Sequence, residues 1–188
     1  MIPFGEWLPD QAPLNSSGAT VATNVIAAAR GYRPFLGLAN LSQAADAYLR
    51  GFFATIDSGG TVHLFAGNAT KLFKFNAATA ALDDVKSGAY TLASDDQWQF
   101  VQFGNSVYAA SGLSNLLQKY TLGSSSTFAD VSGSPKAKFL AVIRDFVVTA
   151  HNNTSSTNNP FRVQWSQIND ADTWTVGSNQ ADFQDIPD

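Results

Sequence analysis

Short runs of aromatic and β-branched residues recur along this chain at a regular interval. Segment 61–66 matches segment 106–111 at an offset of 45 residues, and segment 100–107 matches segment 140–147 at an offset of 40. Repeats of roughly 40 to 50 residues have the length of a four-stranded blade in a β-propeller. The interval therefore predicts tandem four-stranded β-sheet units.

From about residue 48 onward, Gly, Asn, Ser and Asp separate these apolar runs, which is typical of an all-β domain. Candidate tight turns lie at 57–60, 104–105 and 144–145, and the last of these has the weakest turn residues. The candidate strands are 51–56, 62–66, 71–76, 98–103, 107–110, 117–121, 137–143, 146–150 and 161–166.

About three such units fit into the chain, and the fourth strand of a unit is expected near 79–85 or 127–131. A propeller closes with about four to eight blades, so three units leave the ring open. Either the chain continues beyond residue 188, or neighbouring chains complete the arrangement. We predict this propeller-like arrangement; the alternative is an ordinary β-sandwich or barrel with evenly spaced hairpins.

The N-terminal region differs in pattern from the rest. Three prolines lie near Trp7 within the first 18 residues. Because proline fixes φ and lacks a backbone donor, this stretch is predicted to be an extended arm along another surface. Segment 21–30 has helical propensity, but the glycines and proline that follow leave a short helix or a strand. We therefore divide the chain into an arm and linker, 1–47, and a β-repeat domain, 48–188.

Composition excludes several classes of function. Charged residues make up only 14% of the chain, and its formal net charge is −4. Such a chain has no basic field with which to neutralise the phosphates of a nucleic acid, and its sparse charge suits faces packed against other subunits. Without cysteine, it forms no disulfide and no thiolate metal site. No secretory signal and no membrane-spanning run is evident, so we expect synthesis in a cytoplasm.

Few residues are candidates for catalysis or metal binding. The two histidines, His63 and His151, lie in different repeats and are expected to be a polar strand residue and a loop residue. Aspartate pairs at 83–84 and 95–96 are typical of turns, and 169–172 lacks the glycine and distal glutamate of a calcium loop. No nucleophile elbow, phosphate-binding loop or dinucleotide fingerprint occurs. The sequence predicts no enzyme activity, no cofactor and no metal site.

The most distinctive segment is 162–174. A strand ends at Trp165, the chain turns through Asp170, and it returns at Trp174. Asp and Ser side chains are able to cap such a turn while Trp174 packs beneath it, in the manner of the Asp-box turns of sialidase-type propellers. We predict that Trp165, Asp170 and Trp174 maintain the fold.

The chain resembles structural proteins of tailed-phage virions related to the packaged-DNA stabilisation proteins, which form tail hubs or nozzles. The features that carry the resemblance are the proline-rich entry at 7–10, the segment 31–34, and the blocks 144–148, 162–166 and 170–174. The resemblance implies a β-propeller in a ring-shaped tail assembly that surrounds the DNA channel and attaches to the portal or adaptor. Members of this family are considerably longer than 188 residues.

These features predict a virion tail component that acts in genome retention and ejection and is assembled in the host cytoplasm. Other virion proteins and further copies in a homo-oligomeric ring are its expected partners, and DNA at most passes through the channel. We expect subunit contacts at Trp7, Pro9 and Tyr32, and in a loop from His151 to Asn159.

Two other functions remain open for this sequence. A carbohydrate-binding or host-receptor module would stack sugars on exposed rings, for which Trp165 and Trp174 are the candidates. A propeller hydrolase would need a funnel lined by several carboxylates and an arginine, and the sequence offers few of these.

Overall fold

The computed structural model describes residues 21, 23–28, 31–35, 37, 39–154 and 156–186. The chain divides into two units, one that ends at Leu41 and one that begins at Ser42. The described part of the chain contains fourteen β-strands and no helix.

The first unit contains one antiparallel pair of strands, β1 (Val25–Ala28) and β2 (Gly31–Pro34). The Phe35 amide donates to the Asn24 carbonyl oxygen at 2.8 Å and extends the pairing beyond β2. Segment 21–30 is predicted to form a short helix or a strand, and its described residues form the strand β1. The sequence did not predict its partner, β2, which lies inside the expected linker.

The second unit contains three four-stranded antiparallel sheets, which we number in chain order. Sheet 1 comprises β3 (Phe52–Ile56), β4 (Val62–Gly67), β5 (Leu72–Asn76) and β6 (Ala81–Asp84). Sheet 2 comprises β7 (Gln99–Phe103), β8 (Ser106–Ala110), β9 (Gln118–Thr121) and β10 (Ala129–Asp130). Sheet 3 comprises β11 (Lys136–Ile143), β12 (Phe146–Thr154), β13 (Thr157–Trp165) and β14 (Asp182–Asp185). Within each sheet the strands lie side by side in chain order.

This arrangement confirms the predicted all-β fold of tandem, blade-like sheets. Each predicted strand has a counterpart, and the expected fourth strands are β6 and β10. The sequence did not predict β14, because its single apolar residue, Phe183, lies among polar neighbours. In the described ranges, sheets 1 and 3 each pack on sheet 2 and share no core with each other.

Side-chain hydrogen bonds to the backbone fix the turn between β3 and β4. Asp57 Oδ1 accepts hydrogen bonds from the amides of Gly59 at 2.8 Å and Thr61 at 2.9 Å. Gly60 has a φ of +84°, a left-handed conformation that glycine adopts without steric penalty. The Asp-Ser-Gly-Gly sequence therefore sets the register in which Thr55 pairs with His63.

A cluster of buried aromatic rings fills the space between sheets 1 and 2. The Phe65 ring meets the Phe128 ring edge-on at 5.5 Å and the Tyr120 ring at 5.1 Å. Trp98 is 3% exposed and donates its indole N–H to the Asn68 carbonyl oxygen at 2.8 Å. Full burial of each such ring contributes about 1.5 to 3 kcal/mol. This first core comprises Phe65, Leu72, Val85, Tyr90, Leu92, Trp98, Val107, Ala109, Tyr120, Leu122 and Phe128.

A second core joins sheet 2 to sheet 3. Along β8, Val107 and Ala109 belong to the first core, whereas Tyr108 and Ala110 belong to the second. This is the alternation of faces that a strand imposes. Sheet 2 is therefore covered on both faces. The second core comprises Tyr108, Ala110, Leu117, Val131, Leu140, Val147, Ala171 and Trp174.

The first strands of the three sheets lie next to one another. Strand β7 contacts both β3 and β11. The Gln102 side-chain amide donates to the Ile56 carbonyl oxygen at 3.0 Å, and the Gly112 amide donates to the Ala137 carbonyl oxygen at 3.0 Å. Convergence of first strands is the arrangement expected where blades radiate from a common axis.

We predict that Gly67→Ala destabilises the second unit. A Cβ atom at Gly67 would lie 2.3 Å from Cδ1 of Trp98, and the buried, hydrogen-bonded indole has no room to move away. Overpacking of this kind lowers the free energy of unfolding by about 1 to 3 kcal/mol. Urea denaturation followed by tryptophan fluorescence measures the change.

The matched control is Gly88→Ala, because no atom lies within 4 Å of a Cβ atom built at Gly88. Its free energy of unfolding should stay within about 1 kcal/mol of the wild-type value. Equal stability of the two variants would contradict the packing of Trp98 on Gly67.

Candidate functional site

Each of the two histidines bonds to a polar side chain of its own sheet region. His63 Nε2 lies 2.9 Å from Asp57 Oδ2, so the imidazole ring supports the turn between β3 and β4. In sheet 3, His151 Nε2 of β12 lies 3.1 Å from Asn158 Oδ1 of β13. The described residues include no group of three or more histidine, aspartate or glutamate side chains arranged to hold a metal ion. They also include no helix long and apolar enough to cross a membrane.

The Asp170 side chain closes a turn that follows β13, in the connection between β13 and β14 of sheet 3. Its carboxylate accepts hydrogen bonds from the Asp172 amide at 2.9 Å and from the Thr173 hydroxyl at 2.8 Å. Asn169 precedes it with a φ of +56°, a conformation that asparagine tolerates better than most residues. Trp174 is 3% exposed beneath the turn and donates its indole N–H to the Ala171 carbonyl oxygen at 2.9 Å.

This Asp170 turn is also bonded to sheet 2. The Tyr108 hydroxyl donates to Asp172 Oδ1 at 2.9 Å, and the Lys119 ammonium pairs with Asp172 Oδ2. Burial raises the pKa of the Tyr108 phenol, and the negative charge of Asp172 raises it further. Tyr108 therefore stays protonated and acts as a hydrogen-bond donor between two sheets.

The two tryptophans proposed for sugar stacking occupy different environments. Trp174 is buried in the second core, which removes it as a stacking platform. Trp165 is half-buried at the end of β13 and donates its indole N–H to the Gln180 carbonyl oxygen at 2.7 Å.

The residues predicted for subunit contacts fall in three places. Trp7 and Pro9 lie outside the described residues, and Tyr32 is half-buried in β2. The expectation of a loop from His151 to Asn159 is wrong. Strand β12 extends to Thr154 and β13 begins at Thr157, with Asn152 opposite Asn159. Backbone pairing does not need apolar side chains, so the Asn- and Thr-rich composition concealed the strands.

Sheet 1 has an apolar face on the side away from sheet 2. Phe53 and Phe65 are paired across β3 and β4 and pack in the first core, so alternate residues of both strands lie on the other face. Among these, Phe52 is 62% exposed, Ile56 55% and Val62 60%. We call this surface the sheet 1 outer face; it comprises Phe52, Ala54, Ile56, Val62, Leu64, Ala66, Phe73, Phe75, Leu82 and Asp84. Of these, Ala66 and Phe73 are buried.

Sheet 3 has a second apolar face on the side away from sheet 2. Leu140 and Val147 pack in the second core, so their neighbours in β11 and β12 lie on the other face. Phe139 and Ile143 are each 56% exposed there. We call this surface the sheet 3 outer face; it comprises Phe139, Ala141, Ile143, Phe146, Val148, Ala150, Val163, Trp165, Asp182 and Gln184.

On each outer face the fourth strand contributes one charged residue, Asp84 in sheet 1 and Asp182 in sheet 3. Clusters of exposed apolar side chains such as these are typical of interaction sites. The two outer faces, one at each end of the sheet series, are the candidate functional surfaces of the chain.

We predict that Asp170→Ala lowers the free energy of unfolding by about 1 to 3 kcal/mol, because the Asp172 amide and the Thr173 hydroxyl lose their acceptor. Chemical denaturation of both proteins measures the difference. Asp95→Ala is the control, since it removes the same charge from an exposed position. A loss no larger than that of the control would show that the carboxylate does not hold the turn.

The Asp57 turn predicts an acid-sensitive contribution to stability. The hydrogen bond from His63, followed by those from the amides of Thr61 and Gly59, lowers the pKa of Asp57 below its usual 3.8. The ionised carboxylate therefore stabilises the fold above pH 3.8, and this contribution disappears as the pH falls through the lowered pKa.

Thermal unfolding between about pH 5 and pH 2 measures this effect. Asp57→Asn should show a shallower loss of stability with acid than the wild type, and the exposed-site control Asp95→Asn should follow the wild type. Identical acid profiles for all three proteins would refute the assignment.

Comparisons with known proteins do not assign the chain to a family. No protein-family model matches the chain, and no curated protein shows significant similarity to it. The role of the chain is therefore inferred from its own residues and surfaces.

Proposed function

We propose that this chain is a structural component of a phage virion tail, of the hub or nozzle type. It assembles as a ring around the DNA channel, together with the portal or adaptor or with other tail subunits. Its blades form part of the channel wall, which retains the packaged genome and guides it during ejection. The role is mechanical and involves no catalysis, and assembly takes place in the host cytoplasm.

The observation that carries this proposal is the pair of largely apolar, partly exposed outer faces on a series of packed sheets. A module whose two ends both need a cover is suited to an assembly, because burial of these faces contributes about 25 cal/mol per Å². The sheets between them are held by two cores and by the Tyr108–Asp172 hydrogen bond. This construction favours a rigid wall element.

Charge also supports passage of DNA. The chain has 15 acidic and 11 basic residues, which gives the formal net charge of −4. Affinity for DNA depends on neutralising phosphates with lysine and arginine, so an acidic wall attracts the duplex weakly. A channel lined by such chains lets DNA move without strong adhesion.

The carbohydrate-binding alternative receives less support from the residues proposed for it. Trp174 is buried, and Trp165 lies on the sheet 3 outer face beside Val148. Sugar binding by stacked rings needs an accessible ring, which the buried Trp174 does not offer. Trp165 is only half-exposed, and its indole N–H is already bonded to the Gln180 carbonyl oxygen.

Deletion of the coding sequence from the phage genome that carries it tests the proposal. We expect deleted particles to retain less DNA and to form fewer plaques, and a plasmid copy of the wild-type gene to restore both. Gold-labelled antibody against the chain should mark the tail of wild-type particles. An empty plasmid is the control.

The proposal fails if purified virions contain none of this chain by mass spectrometry. It also fails if deleted particles keep their full DNA content and titre. Binding of the purified chain to a glycan array, combined with absence from virions, would favour the receptor module instead.

A further inference from the structure

Buried polar atoms without a partner are concentrated in one short segment of sheet 3. Among the described residues, four buried side-chain nitrogen or oxygen atoms have no hydrogen-bond partner, and all four belong to residues 152–154 of β12. They are Oδ1 and Nδ2 of Asn152, Oδ1 of Asn153 and Oγ1 of Thr154. Because buried polar groups in native proteins are almost always hydrogen-bonded, this concentration requires a physical explanation.

Asn152 is the most completely enclosed of these residues. Its relative exposure is 0%, and neither polar atom of its side-chain amide has a partner. Its neighbours across the sheet are Ala137 of β11 and Asn159 of β13. The methyl group of Ala137 forms no hydrogen bond, and the Asn159 side-chain nitrogen donates to the Thr157 carbonyl oxygen at 3.0 Å instead. Neither neighbouring side chain therefore satisfies the Asn152 amide.

The strand ladder is interrupted beside Asn152. Ala150 pairs with Val163 and Asn152 pairs with Asn159, so three residues of β13 lie opposite one residue of β12, His151. His151 has a φ of +54°, a left-handed conformation that is uncommon outside glycine. An irregularity of this kind disrupts the hydrogen-bonded ladder and bends the strand. The Asn152 amide thus lies where the regular packing of the sheet is broken.

The chemistry of the Asn152 amide selects the kind of ligand that fits beside it. Its oxygen accepts hydrogen bonds and its nitrogen donates them. A cation would be repelled by the N–H groups, and an anion would be repelled by the oxygen, whereas water both accepts and donates. Strand alternation places Thr154 on the same face of β12, and its hydroxyl group also accepts and donates. Buried water with about two to four such partners is a regular part of protein interiors.

We propose that a small cluster of buried water molecules is bound beside Asn152. One water donates to Asn152 Oδ1, another accepts from Asn152 Nδ2, and the Thr154 hydroxyl bonds to the same cluster. The cluster completes the hydrogen bonding that the interrupted ladder leaves open. This inference goes beyond the tail role and does not depend on it, because the site is internal to sheet 3.

Oxygen-17 relaxation dispersion tests the inference, since it counts water molecules that stay bound for longer than the protein takes to tumble. We expect Asn152→Leu to bind fewer such waters than the wild type, because leucine has a similar size and no polar side-chain atom. Thr149→Val is the matched control. Thr149 is also fully buried in β12 but donates to the Gln164 carbonyl oxygen at 3.1 Å, so this variant should keep the wild-type number of bound waters.

The sign of the stability change gives a second test. If water bonds to the amide, Asn152→Leu should lower the melting temperature by about 2 to 8 °C, because those hydrogen bonds are lost. A dry site predicts a rise in melting temperature, because the substitution then removes an unpaired buried amide. Near-ultraviolet circular dichroism establishes that the variant keeps its tertiary packing.

A high-resolution crystal structure of the wild type tests the inference without any substitution. We expect water peaks within about 3.2 Å of both Oδ1 and Nδ2 of Asn152. A dry site, or an Asn152 amide bonded directly to protein groups, would overturn the inference. So would a peak coordinated by oxygen atoms alone at about 2.4 Å, which identifies a cation. Equal numbers of long-lived waters in the wild type and in Asn152→Leu would also contradict it.

Discussion

The burial of sheet 2 on both faces is the constraint on which the rest of the second unit depends. Strand β8 presents Val107 and Ala109 to one core and Tyr108 and Ala110 to the other, so no position of this run is free to be charged. A strand covered on both sides needs a neighbour on each side. Sheets 1 and 3 supply those neighbours, and in the described residues their own second faces remain largely apolar and partly exposed.

Hydrogen bonds give the apolar contacts between sheets a defined geometry. Trp98 donates to the Asn68 carbonyl oxygen in the first core, and Tyr108 donates to Asp172 at the edge of the second. Each donor sits in low-dielectric surroundings where an unpaired polar group would be costly, so each bond selects one relative position of two sheets. Because Asp172 accepts the hydrogen bond from Tyr108, the Asp170 turn contributes to the contact between sheets 2 and 3 as well as to sheet 3 itself.

Strand positions were predictable because alternation and turn residues are local signals. The Asp57 turn and the recurring interval of 40 to 45 residues were sufficient for most of sheets 1 and 2. Strand β14 and the ends of β12 and β13 were missed, since their polar side chains conceal pairing that the backbone provides. Which apolar faces remain uncovered was also beyond the sequence, because alternation assigns residues to faces without showing what lies opposite.

The most direct test of this account is a methyl-detected NOE experiment on β8. If sheet 2 is covered on both sides, the Val107 methyl groups show NOEs to aromatic rings of the first core, and the Ala110 methyl group shows NOEs to side chains of the second core. Both sets should be present in the same sample. NOEs from only one of these residues, with the other methyl group broadened by a soluble paramagnetic probe, would contradict the three-sheet series and favour a two-sheet sandwich.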